Sequence, residues 1–366
     1  MRDSAPLFYR DAFMPDTGPT TINRVRQPQS PKTFSSIQDF WRASATVRIG
    51  MLSNPLSGGN RKGFQKIRQT AAAACPPVHQ REVQTPADVA SALADFARQA
   101  VNVLVVNGGD GTVQAVLTSL FHLKPFEILP LLAVFRSAGT TSMIAGDIGL
   151  KGIRHRALQR LFSWSDTQNG KAVIIKRPLL RVQVPGKEKP VYTMFLGAAG
   201  IYQATHFYHR KIHTIGLRGE VGPGVTLARF AMAMAFRDRK VLSAVPVTTR
   251  IDHNPPQAGN YFVVLVTTLE RLFLGLRPFW GTESKPLHYT AIGSRPYRFG
   301  RLLPSLLKGR RSPHITAANG YISHNADQIQ LNLDSGFALD GQLYKPDCPQ
   351  EPVVVTDGGP VSFLQL

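Results

Sequence analysis

Five residues, Gly108-Gly109-Asp110-Gly111-Thr112, follow the apolar run "VLVVN" and precede a segment with helical periodicity. Three glycines, one carboxylate and one hydroxyl at a strand-to-helix junction are the parts of a nucleotide loop. The start of the helix offers unpaired N–H groups and the positive end of its dipole, which suit a phosphate. Glycines there let the chain turn with positive φ and let phosphate oxygens approach the backbone. Asp110 would repel that phosphate unless a cation lay between them. Its expected place is therefore the water shell of a Mg²⁺ ion, with Thr112 as a hydroxyl donor. The plain alternative is a tight turn with Asp110 as a helix cap. The P-loop order, Gly-x4-Gly-Lys followed by Ser or Thr, is absent. Two more loops stand after apolar strands, "NPLSGG" (54–59) and "AGTTS" (138–142). Three such loops at the ends of parallel strands converge on one crevice.

The elements that must hold these loops can be read from periodicity. "VRIGML" reads as a strand, "RKGFQKIRQTAAAA" as a helix and "HQREVQ" as a strand. Thr85 then caps the helix "PADVASALADFARQA", with Pro86 and Asp88 at its first and third positions. "VNVLVV" and "ILPLLAVF" read as strands buried on both faces, with "TVQAVLTSLFHL" as the helix between them. From about Lys171 strands come at short intervals, among them "KAVIIKRPLLRVQV", "NYFVVLVTTL", "HITAANGYI", "QIQLNLD", "GFALDGQLY", "PVVVTDGG" and "PVSFLQL". Two helices are expected among them, near 225–238 and 297–308. The fold class is α/β: an N-terminal doubly wound parallel sheet followed by a mainly antiparallel β-sandwich domain. The expected segments are a loosely ordered basic arm (1–45), a nucleotide-binding α/β domain (46–168) and a β-rich lipid-substrate domain (169–366).

The series "NPLSGG…VVNGGDGTVQAVL…RSAGTTS…FALDGQLY" resembles the diacylglycerol kinase catalytic-domain superfamily, which includes compact bacterial lipid kinases and the sphingosine and ceramide kinases. The likeness runs from about residue 47 to 366 and includes "FLGAAGIYQA", similar to the Gly-rich strand that opens the family's second domain. It implies an ATP- and Mg²⁺-dependent kinase acting on a hydroxyl of a diacylglycerol- or sphingoid-like lipid, with nucleotide and lipid meeting between the domains. The ATP contacts it implies are Asn54, Pro55, Ser57 and Gly58 in the first loop, and Thr85 after the second strand. Gly108, Gly109, Asp110, Gly111, Thr112, Val113 and Gln114 match the nucleotide loop, and Gly139 and Thr140 the third. Two departures stand out. The third loop usually reads Gly-Thr-x-Asn-Asp, whereas here Thr141 is followed by Ser142 and Met143. The family's catalytic Asp-Gly-Glu is Asp340-Gly341-Gln342, and a Gln amide cannot accept the proton of an attacking hydroxyl. On a regular strand Asp340 and Gln342 share a face, so Asp340 is expected to take over or support proton removal. The competing reading is that Asp340-Gly341 only shapes a hairpin turn. "ESKPLHYTAI" lacks the acidic turn that holds a structural Mg²⁺ in bacterial relatives, so no second metal site is expected.

The chain's 366 residues carry a formal net charge of +20, a field that attracts nucleic acid, anionic lipid or phosphorylated ligands. No zinc-finger spacing, aromatic RNA-binding string or long basic block favours nucleic acid. A lipid substrate requires docking on a bilayer. For that the reading singles out Arg298, Arg301, Lys308, Arg310 and Arg311 on the second helix, worth about 1 kcal/mol each beside an anionic surface. The first, 225–242, reads as packed on its own domain. The longest apolar runs are about half a membrane span. The expectation is a cytoplasmic protein bound peripherally to the inner membrane face. Two cysteines suit a reducing compartment. His206, His209 and His213 read as a basic face rather than a metal site, and Trp164 and Trp280 as core or rim. Two alternatives compete: a pseudokinase, motivated by Gln342, and an NAD kinase, disfavoured because no Asn-Glu pair occurs. Lipid identity and oligomeric state are left open.

Overall fold

The computed structural model describes residues 31–44, 46–60, 63–74, 77–135, 143–167, 171–207 and 244–366. Its first part is built on four parallel strands, β1 (Ile49–Ser53), β2 (His79–Glu82), β3 (Val103–Asn107) and β4 (Leu131–Val134), in the order β4-β3-β1-β2. Met51 pairs with Gln80 on one side and Val105 on the other. The chain leaves β1 in one direction and returns past it to β3, so the ends of β1 and β3 flank a switch point.

Alternate residues of these strands feed two apolar layers. Met51, Val103, Val105 and Leu131 pack on one face against α1 (Ile37–Ala43), α2 (Phe64–Ala72) and α6 (Arg154–Thr167). Leu52, Leu104, Val106 and Leu132 pack on the other against α3 (Pro86–Arg98), α4 (Asp110–Leu123) and α5 (Met143–Ile148). Thr85 caps α3 as expected, in a full capping box with Asp88. Part of the region assigned to a loose arm behaves differently. Residues 37–43 form α1 because Phe40 is fully buried, edge-on to Phe34 and beside Trp164. Residues 1–30 lie outside the described residues.

The second part is mainly antiparallel. Its elements are β5 (Val173–Gln183), β6 (Val191–Thr193), β7 (Phe195–Ala199), α7 (Gly200–Phe207), β8 (Val245–Ile251), β9 (Gln257–Thr267), β10 (Leu287–Gly293), α8 (Phe299–Leu307), β11 (Tyr321–Ala326), β12 (Gln328–Leu333), β13 (Phe337–Leu339), β14 (Gln342–Tyr344) and β15 (Val353–Gln365). The expected strand "HITAANGYI" begins only at Tyr321, because Thr316 caps a 3-10 turn that ends at Gly320 with φ 85°. "PVVVTDGG" and "PVSFLQL" are one strand, β15, whose register slips between Asp357 and Pro360. That strand pairs with β5 and β12, and its Phe363 lies parallel to Leu132 of β4. The two parts also share a core, since Tyr192, Met194, Phe195 and Leu265 join the layer that holds α3, α4 and α5. No helix among the described residues is long and apolar enough to cross a membrane. The expected helix at 225–238, with His209 and His213, lies outside the described residues.

Candidate active site

The first loop is fastened by asparagines. The Asn54 N–H donates to Asn107 O at 2.9 Å, and its Oδ1 accepts from the Leu56 N–H at 2.9 Å. Its Nδ2 donates to Thr112 Oγ1 at 3.0 Å, tying the first loop to the second. Asn60, which the sequence reading passed over, donates Nδ2 to Asn54 O (2.6 Å) and Asn107 O (2.9 Å). The half-buried Arg154 of α6 donates to Asn60 Oδ1 and, at 2.5 Å, to Gly59 O. Burial lowers the pKa of that guanidinium from its ordinary value. Pro55, Ser57 and Gly58 lie on the more open side of the loop.

In the second loop the close approach of Thr112 to Gly108, rather than positive φ, calls for a glycine. Gly108 and Gly111 are not among the positive-φ residues, and Gly109 caps α4 in extended conformation. A Cβ on Gly108 would stand 2.5 Å from Thr112, and one on Gly111 would stand 2.5 Å from Gln342 Nε2. Gln342 therefore lies directly over the nucleotide loop. Asp110, 6% exposed, accepts from the Met143 N–H at 2.9 Å and the Ile144 N–H at 3.3 Å. Its carboxylate thus joins α4 to the start of α5, just past the third loop. Gly139 and Thr140 lie outside the described residues.

Three of the expected contacts have other surroundings. Val113 is buried in the shared core. Gln114 is buried too, and donates Nε2 to Leu339 O at 2.9 Å while its Oε1 accepts from the Tyr344 hydroxyl at 3.2 Å. It fastens α4 to the β13–β14 hairpin. The exposed Thr85 accepts from the Asp88 N–H at 3.2 Å.

Asp340 and Gly341 are the two loop residues of that hairpin, with φ of 44° and 85°, the pattern of a tight hairpin turn. The alternation that would have aimed Asp340 and Gln342 together is broken there. Asp340 is 3% exposed, and its carboxyl meets the Thr193 hydroxyl and the Met194 N–H at 3.2 Å. Burial pushes that carboxyl up to about 8, and the charge of nearby Asp110 adds to the shift, while Thr193 and the Met194 N–H oppose it. A carboxyl held neutral and enclosed at pH 7 is poorly suited to take a proton from a substrate. Through those bonds Asp340 fastens the turn bearing Gln342 to the Thr193–Met194 segment.

A hydrated Mg²⁺ fits these residues. The Asp110 carboxylate is a two-oxygen acceptor of the kind that binds ion-bound water, and the Met143 and Ile144 N–H groups hold it in place. Among the described residues no three of His, Cys, Asp and Glu gather. An ion here would complete its shell with water and phosphate oxygens.

Asparagine-fastened loops thus stand at a switch point, with a turn from the second part of the chain against a Gly-rich loop. Residues 48–169 match the diacylglycerol kinase catalytic domain. A solved diacylglycerol kinase from Bacillus anthracis str. Sterne is similar over 88% of this chain and 97% of its own, with 16% identity and a TM-score of 0.55. A second structure from that organism, provisionally described as a diacylglycerol kinase, gives 18% identity and a TM-score of 0.58 over the same shares. At these identities the likeness shows the fold, an N-terminal parallel sheet with a mostly antiparallel second domain. No curated protein matches the chain. The domain match supports a kinase.

Proposed function

We propose that the protein is an ATP- and Mg²⁺-dependent lipid kinase that transfers the γ-phosphate to a hydroxyl of a diacylglycerol- or sphingoid-like lipid between its two domains. One observation carries the reading: the Asp110 carboxylate stands where the glycine loop, the start of α5 and the Asp340–Gln342 turn meet. In this reading the Gly108–Thr112 backbone and the first turn of α4 receive the triphosphate. Asp110 would hold Mg²⁺ through water, and the ion would supply charge neutralisation for the phosphates. Gln342 accepts a hydrogen bond from the acceptor hydroxyl and orients it without removing its proton. Phosphoryl transfer is mostly positioning and charge neutralisation, so a missing base slows the reaction by about 10²–10⁴-fold without abolishing it. The same absence favours a second reading, a nucleotide-binding protein with little turnover.

The deciding experiment incubates the protein with γ-labelled ATP, Mg²⁺ and a panel of diacylglycerol, sphingosine, ceramide and NAD. A labelled lipid, reduced about a hundredfold or more in Asp110→Asn, is expected. No labelled product despite ATP binding supports the second reading, and labelled NAD or an undiminished Asp110→Asn variant refutes the first.

A further inference from the structure

The docking helix of the sequence reading keeps its apolar side for its own domain. Phe299, Leu302 and Leu306 of α8 pack with Ile292 and Tyr321, which leaves the basic residues at its ends as its contribution to a surface. The apolar part comes from a neighbouring turn. Leu274 is 77% exposed, the most open large apolar side chain among the described residues. It stands at the tip of a loop pinched shut by the Leu272 N–H on Leu276 O at 2.7 Å and the Gly275 N–H on Leu272 O at 2.9 Å. Its own backbone is left-handed, φ 57° and ψ 19°, a conformation disfavoured for a residue with a Cβ. The loop has a firm base. Leu272 is buried in the shared core, and Arg277 donates to Glu270 O at 3.0 Å and to the Glu270 carboxylate at 2.9 Å.

That base adjoins the basic end of α8. The Arg277 N–H donates to Leu307 O at 2.8 Å, and Arg311 Nη2 to Trp280 O at 3.4 Å. Arg271, three residues before Leu274, and Lys308, Arg310 and Arg311, next to the Leu307 and Trp280 links, are all exposed around the base of the turn. An ordered apolar tip among cations matches the boundary between acyl chains and phosphate headgroups in an anionic bilayer, where apolar burial and charge attraction act together.

We propose that the 271–277 turn inserts into an anionic membrane: Leu274 enters the acyl boundary while Arg271, Lys308, Arg310 and Arg311 meet the lipid phosphates. The idea deepens the lipid-kinase reading by giving its substrate side a bilayer contact, but its test measures no phosphate transfer. The location is apt, because the Glu270 N–H at the root of the turn donates to Asp147 of α5 at 3.1 Å, the helix that also holds Asp110.

The full chain is co-floated with vesicles of phosphatidylcholine alone and of phosphatidylcholine with phosphatidylglycerol, without nucleotide. Salt-sensitive binding to the anionic vesicles is expected, about tenfold weaker in Leu274→Ser and retained in Leu274→Phe. Circular dichroism melts identical to the parent control for folding. Three outcomes overturn the proposal: no vesicle binding, equal binding to neutral vesicles, or Leu274→Ser binding like the parent. Loss of a dimer in Leu274→Ser, read by light scattering, also overturns it by assigning the tip to a second copy. A chain that binds vesicles through Leu274 yet labels no lipid would sink the kinase reading alone.

Discussion

At the residue in the hairpin turn, chemistry and conformation separate. The Asp340-Gly341 pair is legible in the sequence both as a turn signal and as part of a family motif. Which role governs the side chain depends on Thr193 and Met194, almost 150 positions away, so no local pattern could show it. The buried carboxyl leaves a pH signature. Unfolded, it ionises near its ordinary 3.8, and folded, at about 8. Between those values the folded chain holds a proton that the unfolded chain has released. The stability this gives is complete below the unfolded value and is lost as pH rises through the folded one. Asp340→Asn keeps a neutral amide able to donate to Thr193 and accept from Met194. Its melting temperature should gain on the parent steadily as pH rises from about 5 to 8. Turnover at pH 7 should stay within about tenfold, because a neutral buried acid is not the base. A flat melting difference, or a collapse of turnover with folding intact, would contradict the assignment.

At the level of elements, periodicity reveals strands and helices but not what covers them. The four parallel strands and the α3 cap were readable from apolar runs and the Thr85-Pro86-Asp88 spacing. Helix α6 was missed although Ala157, Leu158, Leu161 and Trp164 carry a helical stripe, because polar residues dilute it. With it went Arg154, which steadies the first loop. Strand β10 was passed over as the place of an absent metal turn. There Glu283 stands against β11 instead. Burial alone would raise its pKa, yet the Asn325 N–H and His324 outweigh that and hold it at about 2. Gln114 shows the limit of motif transfer, since it falls in the nucleotide loop by sequence and in the α4–hairpin joint by structure. Gln114→Leu would remove the hydrogen bonds to Leu339 O and from the Tyr344 hydroxyl, at a cost of about 1–3 kcal/mol. In the lipid-kinase reading the loosened hairpin should raise the KM for the acceptor and spare the KM for ATP. The opposite split would return Gln114 to the nucleotide.

In the whole molecule the two parts read from the sequence fold against each other. Segment boundaries are visible as a change from alternating helices and strands to closely spaced strands. The return of β15 to the edge of β4 is not, because pairing across more than 200 residues leaves no local mark. A charge chain crosses the same joint: Arg177 of β5 meets the nearly buried Asp147 of α5 at 3.3 Å and Glu270 at 3.7 Å. Arg177→Met would strand Asp147, whose carboxylate would keep the Glu270 N–H but lose its cation. Breaking such a pair from one side costs about 3–5 kcal/mol, whereas replacing both partners is far milder. The single variant should therefore unfold earlier in urea, still in one transition reported alike by near- and far-ultraviolet circular dichroism. Arg177→Met with Asp147→Asn should recover most of the loss. Two separated transitions in the single variant would mean that the ion pair, rather than the shared core and the returning strand, makes the halves cooperative.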